Sequence, residues 1–201
     1  MKLYHSPQSR SVRPRWLLEE LGVPYDLVRL DFSKNEHKTA EYMKIHPHGA
    51  VPALVDDDVV IIESAAICAY LADNYLDKQL APPVGTPARG KYYQWMHYSI
   101  ATLEPPVLQV FLNTVMLPEE QRSAKAVDEG KQSFANVARV LSQTLAGKSF
   151  LLGEQFSAAD VMVGSTLAWA NFMGLLEPYP VLQDYVKRLS ARPAYQRAQT
   201  D

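Results

Sequence analysis

The chain has 201 residues, 47% of them hydrophobic, and its 20 Lys and Arg against 22 Asp and Glu leave a formal net charge of -2. That apolar share supports a sizeable core and excludes bulk disorder, and the near balance of charge gives no general attraction to nucleic acid or an anionic membrane. A single cysteine, Cys68, excludes an internal disulfide, a CxxC redox pair and a cysteine-built zinc site.

In chain order, KLYHS (residues 2–6) is short and β-prone. PRWLLEELG places Trp16, Leu17, Leu18 and Leu21 at helical spacing and ends on Gly22. YDLVRLDF alternates, Tyr25, Leu27 and Leu30 against Asp26, Arg29 and Asp31, and reads as a strand. EHKTAEYMKI is a polar helical stretch. PALV, a turn at Asp56–Asp58 and VVII form a hairpin, and SAAICAYLADNY is a helix with Ile67, Tyr70 and Leu71 on one side. The Pro- and Gly-rich stretch DKQLAPPVGTPARG then marks a linker, set at 78–87. Beyond it β signals vanish, and 88–115, 119–145, 158–176 and 179–190 read as helices. Ser157 and Asp160 have capping-box spacing, flanked by Phe156 and Val161 as a hydrophobic staple. The expectation is an α/β domain over 1–77 in the order βαβ-αββα, followed by an all-helical domain over 88–201. No signal-peptide core opens the chain and no apolar run approaches the roughly 20 residues that span a bilayer, so a cytoplasmic protein is expected.

Three short stretches of the first domain carry chemistry. In SPQSRSVRPRW, Pro14 lacks an N–H and is tolerated only in a first turn, so the helix should begin near Ser11. Its N-terminus exposes unpaired N–H groups and a partial positive charge, to which Arg10 adds a full one and Ser9 or Ser11 a hydroxyl that can donate to an anion. The same serines also serve as plain caps. Arg13 and Arg15 are expected to face solvent or the other domain. In HPHGAVPALV, Pro52 marks a strand start or a tight turn, and a cis Val51–Pro52 bond would aim the Val51 backbone outward. In ESAAI, Ser64 can cap a helix whose N–H groups grip a carboxylate, while Glu63 accepts from an ammonium group. A point that holds both charges suits an α-amino acid head group. His5, His46, His48 and His97 do not make a metal set, and Cys68 reads as buried and inert.

Taken together, SxxSRSxR, VPAL, ESAAI with YLA, and FSAAD in a helical second half resemble the cytosolic glutathione transferases over nearly the whole chain. SRSxRxxWLLEEL looks closest to a broad bacterial and fungal subgroup of that family rather than to its mammalian tyrosine classes. The resemblance implies a thioredoxin-like first domain that binds glutathione and a helical second domain that supplies the pocket for a small hydrophobic electrophile. Val51 would offer its backbone to the cysteinyl part across a cis Pro52. Glu63 and Ser64 would hold the γ-glutamyl end, and His37, or Lys38 beside it, the glycyl end. Ser9 and Arg10 would sit by the sulfur, and Asp160 matches a structural folding cap. The column that holds serine in several classes falls on Gln8, and the column that holds cysteine in another falls on Arg10. That leaves Ser9, then Ser11, then Tyr4 as the thiolate-stabilising hydroxyl. Trp95, Tyr98, Thr102 and Trp169 are candidates for the electrophile wall, with Trp95 and Trp169 open to a core role. The resemblance further implies glutathione as co-substrate, no metal, a homodimer, and neither nucleic acid nor membrane as partner. Glutathione-dependent disulfide reduction or peroxidation, and a non-catalytic binding protein on the same fold, are the competing functions.

Overall fold

β1 (Lys2–His5) buries Leu3 and His5 on one face and turns Lys2 and Tyr4 to the other. It pairs in parallel with β2 (Asp26–Arg29) and antiparallel with β3 (Ala53–Asp56), which pairs antiparallel with β4 (Val59–Ile62), giving the order β2-β1-β3-β4. The computed structural model describes residues 1–200. A parallel β1/β2 pair requires a crossover, and α1 (Val12–Leu21) supplies it. Trp16, Leu17, Leu18 and Leu21 bury that helix as its periodicity predicts. Gly22 ends it at φ 66°, a left-handed conformation that glycine adopts without a Cβ clash, and its N–H reaches the Leu18 carbonyl at 3.0 Å.

The polar stretch 36–45 is not one helix. Glu36–Lys38 form a 3-10 turn, and Thr39 is extended. The Thr39 hydroxyl accepts from the Tyr42 N–H at 3.3 Å and starts a separate α2 (Ala40–Met43). A threonine side chain that competes for backbone donors resets the helix at its own position. α3 (Ser64–Asn74) buries Ile67, Cys68 and Leu71 and packs on α1. This sheet with its helices is thioredoxin-like.

The helical part starts with α4 (Pro87–Tyr98), for which Thr86 is the cap and accepts from the Arg89 N–H. Helical backbone continues to Met116, but through wider π-type turns at Ser99–Leu103 and Leu112–Met116 on either side of α5 (Glu104–Phe111). Pro105 and Pro106 cannot donate to the preceding turn, so the ladder there reorganises and the Glu104 N–H reaches back to Ser99. α6 (Ala124–Leu145) starts at Ser123, while Glu119–Gln121 form a 3-10 turn of their own. α7 (Ala158–Phe172) begins at the Ser157–Asp160 capping box, and α8 (Pro180–Ser190) follows. The buried Asp160 carboxylate accepts from the backbone of Leu151 and Ser157, both at 2.9 Å, and from the hydroxyls of Ser157 at 2.9 Å and Tyr185 at 2.7 Å.

Contacts divide the chain between Ala81 and Pro82, inside the expected linker, and again after Ser190. The helical unit therefore ends at Ser190, not at 201. The last helix, α9 (Pro193–Gln199), belongs with the first unit. There Tyr195 meets the Trp16 ring edge-on at 4.9 Å, and Arg192 and Arg197 pair with Glu20 and Glu19, each at 2.6 Å. Asp201, the last residue of the expected second domain, lies outside the described residues. Among the described residues no helix is long and apolar enough to cross a membrane.

Candidate functional site

Strand register brings the three chemical stretches to one end of the sheet. Tyr4 pairs with Ala53, and Ala53 with Ile62. The C-terminal ends of β1, β2 and β4 and the start of β3 therefore share that end. Ser9 and Arg10 follow β1, His37 and Lys38 follow β2, Val51 and Pro52 precede β3, and Glu63 and Ser64 follow β4.

Behind β1 the chain turns at Gln8, whose φ is 55°, and α1 starts at Ser11 as Pro14 requires. Ser11 is fully buried and gives its helix no side-chain cap. Its Oγ lies 2.6 Å from Ser9 Oγ and 2.8 Å from His5 Nδ1, and the Ser6 N–H donates to it at 3.2 Å. Ser11 holds the cap position of α1 without a side-chain cap bond, and its full burial keeps its hydroxyl from a ligand. Ser9 is half-buried, and its hydroxyl donates to the Ser6 carbonyl at 2.7 Å. Tyr4 points to the opposite face of the sheet, where its ring stands 5.2 Å from that of Tyr42 on α2, beside a hollow of about 280 Å³. Of the three candidate hydroxyls, Ser9 alone leaves β1 on the α1 side with some exposure. Arg10 is exposed.

Arg13 and Arg15 do not face solvent. Both are buried, and Arg13 Nη1 donates to Ser64 Oγ at 3.3 Å while Arg15 Nη1 lies 3.3 Å from His5 Nε2. Arg15 also donates to the carbonyls of Arg197 and Thr200 near the chain end. A pattern that places arginines on a helix gives no hint of this, because the default for arginine is the surface. These two, with His5, are the residues that the sequence did not mark.

Ser64 is the first residue of α3 and not its cap. Glu63 holds the cap position at φ 74° and ψ 117°, exposed, with no side-chain hydrogen bond to the helix. Val51–Pro52 is cis. Lys38 Nζ donates to the carbonyls of His48 and Gly49, both at 3.0 Å. Gly49 has φ 55°, and a Cβ there would lie 2.5 Å from the His37 carbonyl, so this close approach admits only glycine. His37 stacks on Phe32 at 4.1 Å, its Nδ1 buried and without a hydrogen-bond partner. Burial, then the nearby His48, hold the His46 imidazole below its ordinary pKa, with Glu63 pulling the other way.

In the helical unit the four candidates for the electrophile wall separate. Trp95 is buried, with Tyr98 edge-on to it at 5.1 Å, and burial raises the Tyr98 phenol. Trp169 is half-buried, edge-on to Phe111 at 5.1 Å, and Thr102 is exposed in the first π-type turn. Cys68 is fully buried, and burial pushes its thiol up to about 12. Among the described residues no three His, Cys, Asp or Glu side chains gather as a metal site.

Comparison with known proteins agrees with this architecture. Residues 1–73 match the glutathione S-transferase N-terminal domain and residues 124–188 the glutathione S-transferase C-terminal domain. Glutathione S-transferase GstA of Escherichia coli O157:H7 is 31% identical over 98% of this chain and 96% of its own length. Among solved structures, a ternary complex of BphK, a bacterial glutathione S-transferase, superposes with a TM-score of 0.86 at 32% identity, covering 99% of this chain and 98% of that one. A glutathione transferase from Burkholderia graminis, with two glutathione molecules bound per subunit, reaches a TM-score of 0.89 at 27% identity over 98% of this chain and 86% of that one. With both domains matched in order and a relative aligned along almost its whole length, the chain belongs to the glutathione S-transferase family.

Proposed function

We propose that this protein is a glutathione transferase of the serine type, which transfers the glutathione thiolate to small hydrophobic electrophiles and works as a cytoplasmic homodimer. The observation that supports this most is the arrangement of four loops at one end of the sheet, with Arg13 joining Ser64 to α1. In this reading the N-terminus of α3 and the Ser64 hydroxyl take the γ-glutamyl carboxylate, and Glu63 takes its ammonium group. The Val51 backbone, set across the cis bond, pairs with the cysteinyl amide. His37, or the donor that Lys38 has left after holding His48 and Gly49, meets the glycyl carboxylate.

The sulfur falls to Ser9, with Arg10 beside it. A free thiol with a pKa of about 8.5 is only a few per cent thiolate at neutral pH, and the thiolate is the nucleophile. A hydroxyl donor and the field of the α1 N-terminus both favour the charged form. Lowering the pKa by two units takes about 2.7 kcal/mol, within reach of one charge-assisted hydrogen bond and a helix dipole. The electrophile would contact Tyr98, Thr102 and Trp169, while Trp95 serves as packing.

A second reading is supported by the Burkholderia graminis relative. A glutathione-dependent disulfide reductase without a reactive cysteine needs two glutathione molecules: one thiolate attacks the disulfide and releases a thiol, and the second attacks the mixed disulfide, giving oxidised glutathione and the other thiol. Calorimetry and thiolate absorbance test both. The transferase reading expects one glutathione per subunit and binding weakened about 10- to 100-fold in Ser64→Ala. It also expects a bound-thiol pKa below about 8.5 that rises in Ser9→Ala, and conjugation of an activated aryl chloride. Two molecules per subunit with disulfide turnover would move the assignment to the reductase. No binding would leave a non-catalytic protein on this fold.

A further inference from the structure

His46 opens the turn that leads to Val51, and its ring is packed where a second proton has no good place. The turn closes where the Gly49 N–H donates to the His46 carbonyl at 2.7 Å, and the His46 N–H ties it to α2 by donating to the Tyr42 carbonyl at 2.9 Å. Lys38 Nζ holds the far side of the turn at the His48 and Gly49 carbonyls. The His46 ring is only 5% exposed, with the Tyr42 ring at 6.4 Å and the His48 ring at 6.0 Å. Its Nδ1 is buried without a hydrogen-bond partner. A neutral imidazole can keep that nitrogen as an idle acceptor, whereas an imidazolium must donate from both nitrogens. A buried charge that lacks partners gives up its proton or moves to water. The groups that face the ring do not reverse this. Lys38 and His48 oppose a positive charge, and the Tyr42 phenol stays neutral because burial raises it. Glu63 and the His46 carbonyl favour the charge, but burial outweighs them and holds the ring below its ordinary 6.5.

We propose that His46 is an acid-sensitive latch on the turn that presents Val51: neutral, it packs in the turn, and protonated, it leaves for water, so that the turn opens and lets go of the ligand. The release of ligand rests on the reading of Val51 and Glu63 as glutathione contacts. The sign follows from the proton count. The open turn binds the proton at about the ordinary 6.5 and the closed turn only at a lower pH. Opening is therefore independent of pH well above 6.5, grows as the pH falls through it, and levels off below the closed-turn value. Glutathione works against the proton. Its ammonium group on Glu63 cancels the carboxylate's pull on the ring, so bound ligand lowers the His46 pKa further. Glutathione itself titrates little between its carboxylates, at about 3–4, and its amine, at about 8, so a loss of affinity between pH 7 and 5.5 belongs to the protein. A charged His37 beside the glycyl carboxylate would strengthen binding over the same range, so such a loss does not come from His37.

Hydrogen exchange of the His46 and Gly49 amides in the ligand-free, full-length protein, corrected for the intrinsic rate, reads the latch directly. Between pH 7.5 and 5.5 the opening constant is expected to rise about fivefold in the wild type and to stay within about twofold in His46→Asn, a side chain that suits turns and does not titrate. Equal behaviour of the two proteins overturns the latch. Calorimetry reads the coupling to ligand. Glutathione affinity is expected to fall about threefold from pH 7 to 5.5 in the wild type and not in His46→Asn. The same fall in both, or none in the wild type, overturns the release of ligand and leaves the glutathione site standing. No binding at pH 7 sinks the reading of that site, while the exchange result still decides the latch. Because a buried substitution can disturb the turn, NMR titration of His46 in the unmutated protein gives an independent answer. A pKa below 6.5 that drops further with glutathione supports the latch, and a pKa at or above 6.5 overturns it.

Discussion

Glu63 sits at φ 74° and ψ 117°, a conformation that a side chain with a Cβ adopts at a cost of about 1–3 kcal/mol. The hairpin and α3 impose it, since β4 ends at Ile62 and α3 begins at Ser64. Glycine would relieve the strain but adds about 0.5–1 kcal/mol of chain entropy to the unfolded state. The balance predicts that Glu63→Gly raises stability by about 1 kcal/mol in urea denaturation while weakening glutathione binding by about tenfold in calorimetry. Opposite signs are the mark of a residue held for ligand binding. A variant that loses both stability and affinity would make Glu63 a structural residue. Glu63 and Ser64 were legible in the sequence as a strand end beside a helix start. Arg13 was not, because its partner Ser64 is 51 positions away and no local pattern encodes that approach.

The element most dependent on one side chain is α7. Asp160 takes four hydrogen bonds that tie the helix start to Leu151 and to Tyr185 on α8. Asp160→Ala leaves two buried N–H groups and the hydroxyls of Ser157 and Tyr185 without this acceptor, at about 1–3 kcal/mol for each that finds no other partner. A loss of about 4 kcal/mol is expected, a large share of a total of about 5–15 kcal/mol. Tyr185→Phe removes one donor and leaves the carboxylate three others, so its expected loss is about 1 kcal/mol. Urea midpoints of both variants check the ratio, and equal losses would mean that Tyr185, not the carboxylate, holds the junction. The capping box was legible because it is written within four residues, whereas Tyr185 is 25 positions from its acceptor. The helices up to residue 190 were likewise legible from periodicity, whereas the seven-residue α9 was not read. The π-type turns around Pro105 and Pro106 and the break at Thr39 were not, because each depends on how local donors are reassigned.

On the scale of the whole chain, the first unit is assembled from two ends of the sequence, and α9 completes it only after the helical unit has been made. Its hold on α1 combines the buried Ala194 and Ala198, the Trp16–Tyr195 contact and two ion pairs. One of these carries a pH signature. Burial by itself would raise the Glu19 carboxyl, but the hydrogen bonds from Arg197 and Tyr25 and the charges of Arg197 and Arg15 outweigh it and leave its pKa below the ordinary 4.5. The unfolded chain therefore binds the proton more readily than the folded one. The stability due to Glu19 is present above 4.5 and is lost as the pH falls through the lower folded value. Arg197 is more than half exposed, so salt screens the pair and its share is small at high ionic strength. Hydrogen exchange followed from neutral pH into this acid window should show α9 amides losing protection before those of α7, and less steeply in Glu19→Gln, which lacks the charge at every pH. If Glu19→Gln and the wild type lose α9 protection over the same window, the Glu19 carboxylate does not govern the acid release of α9.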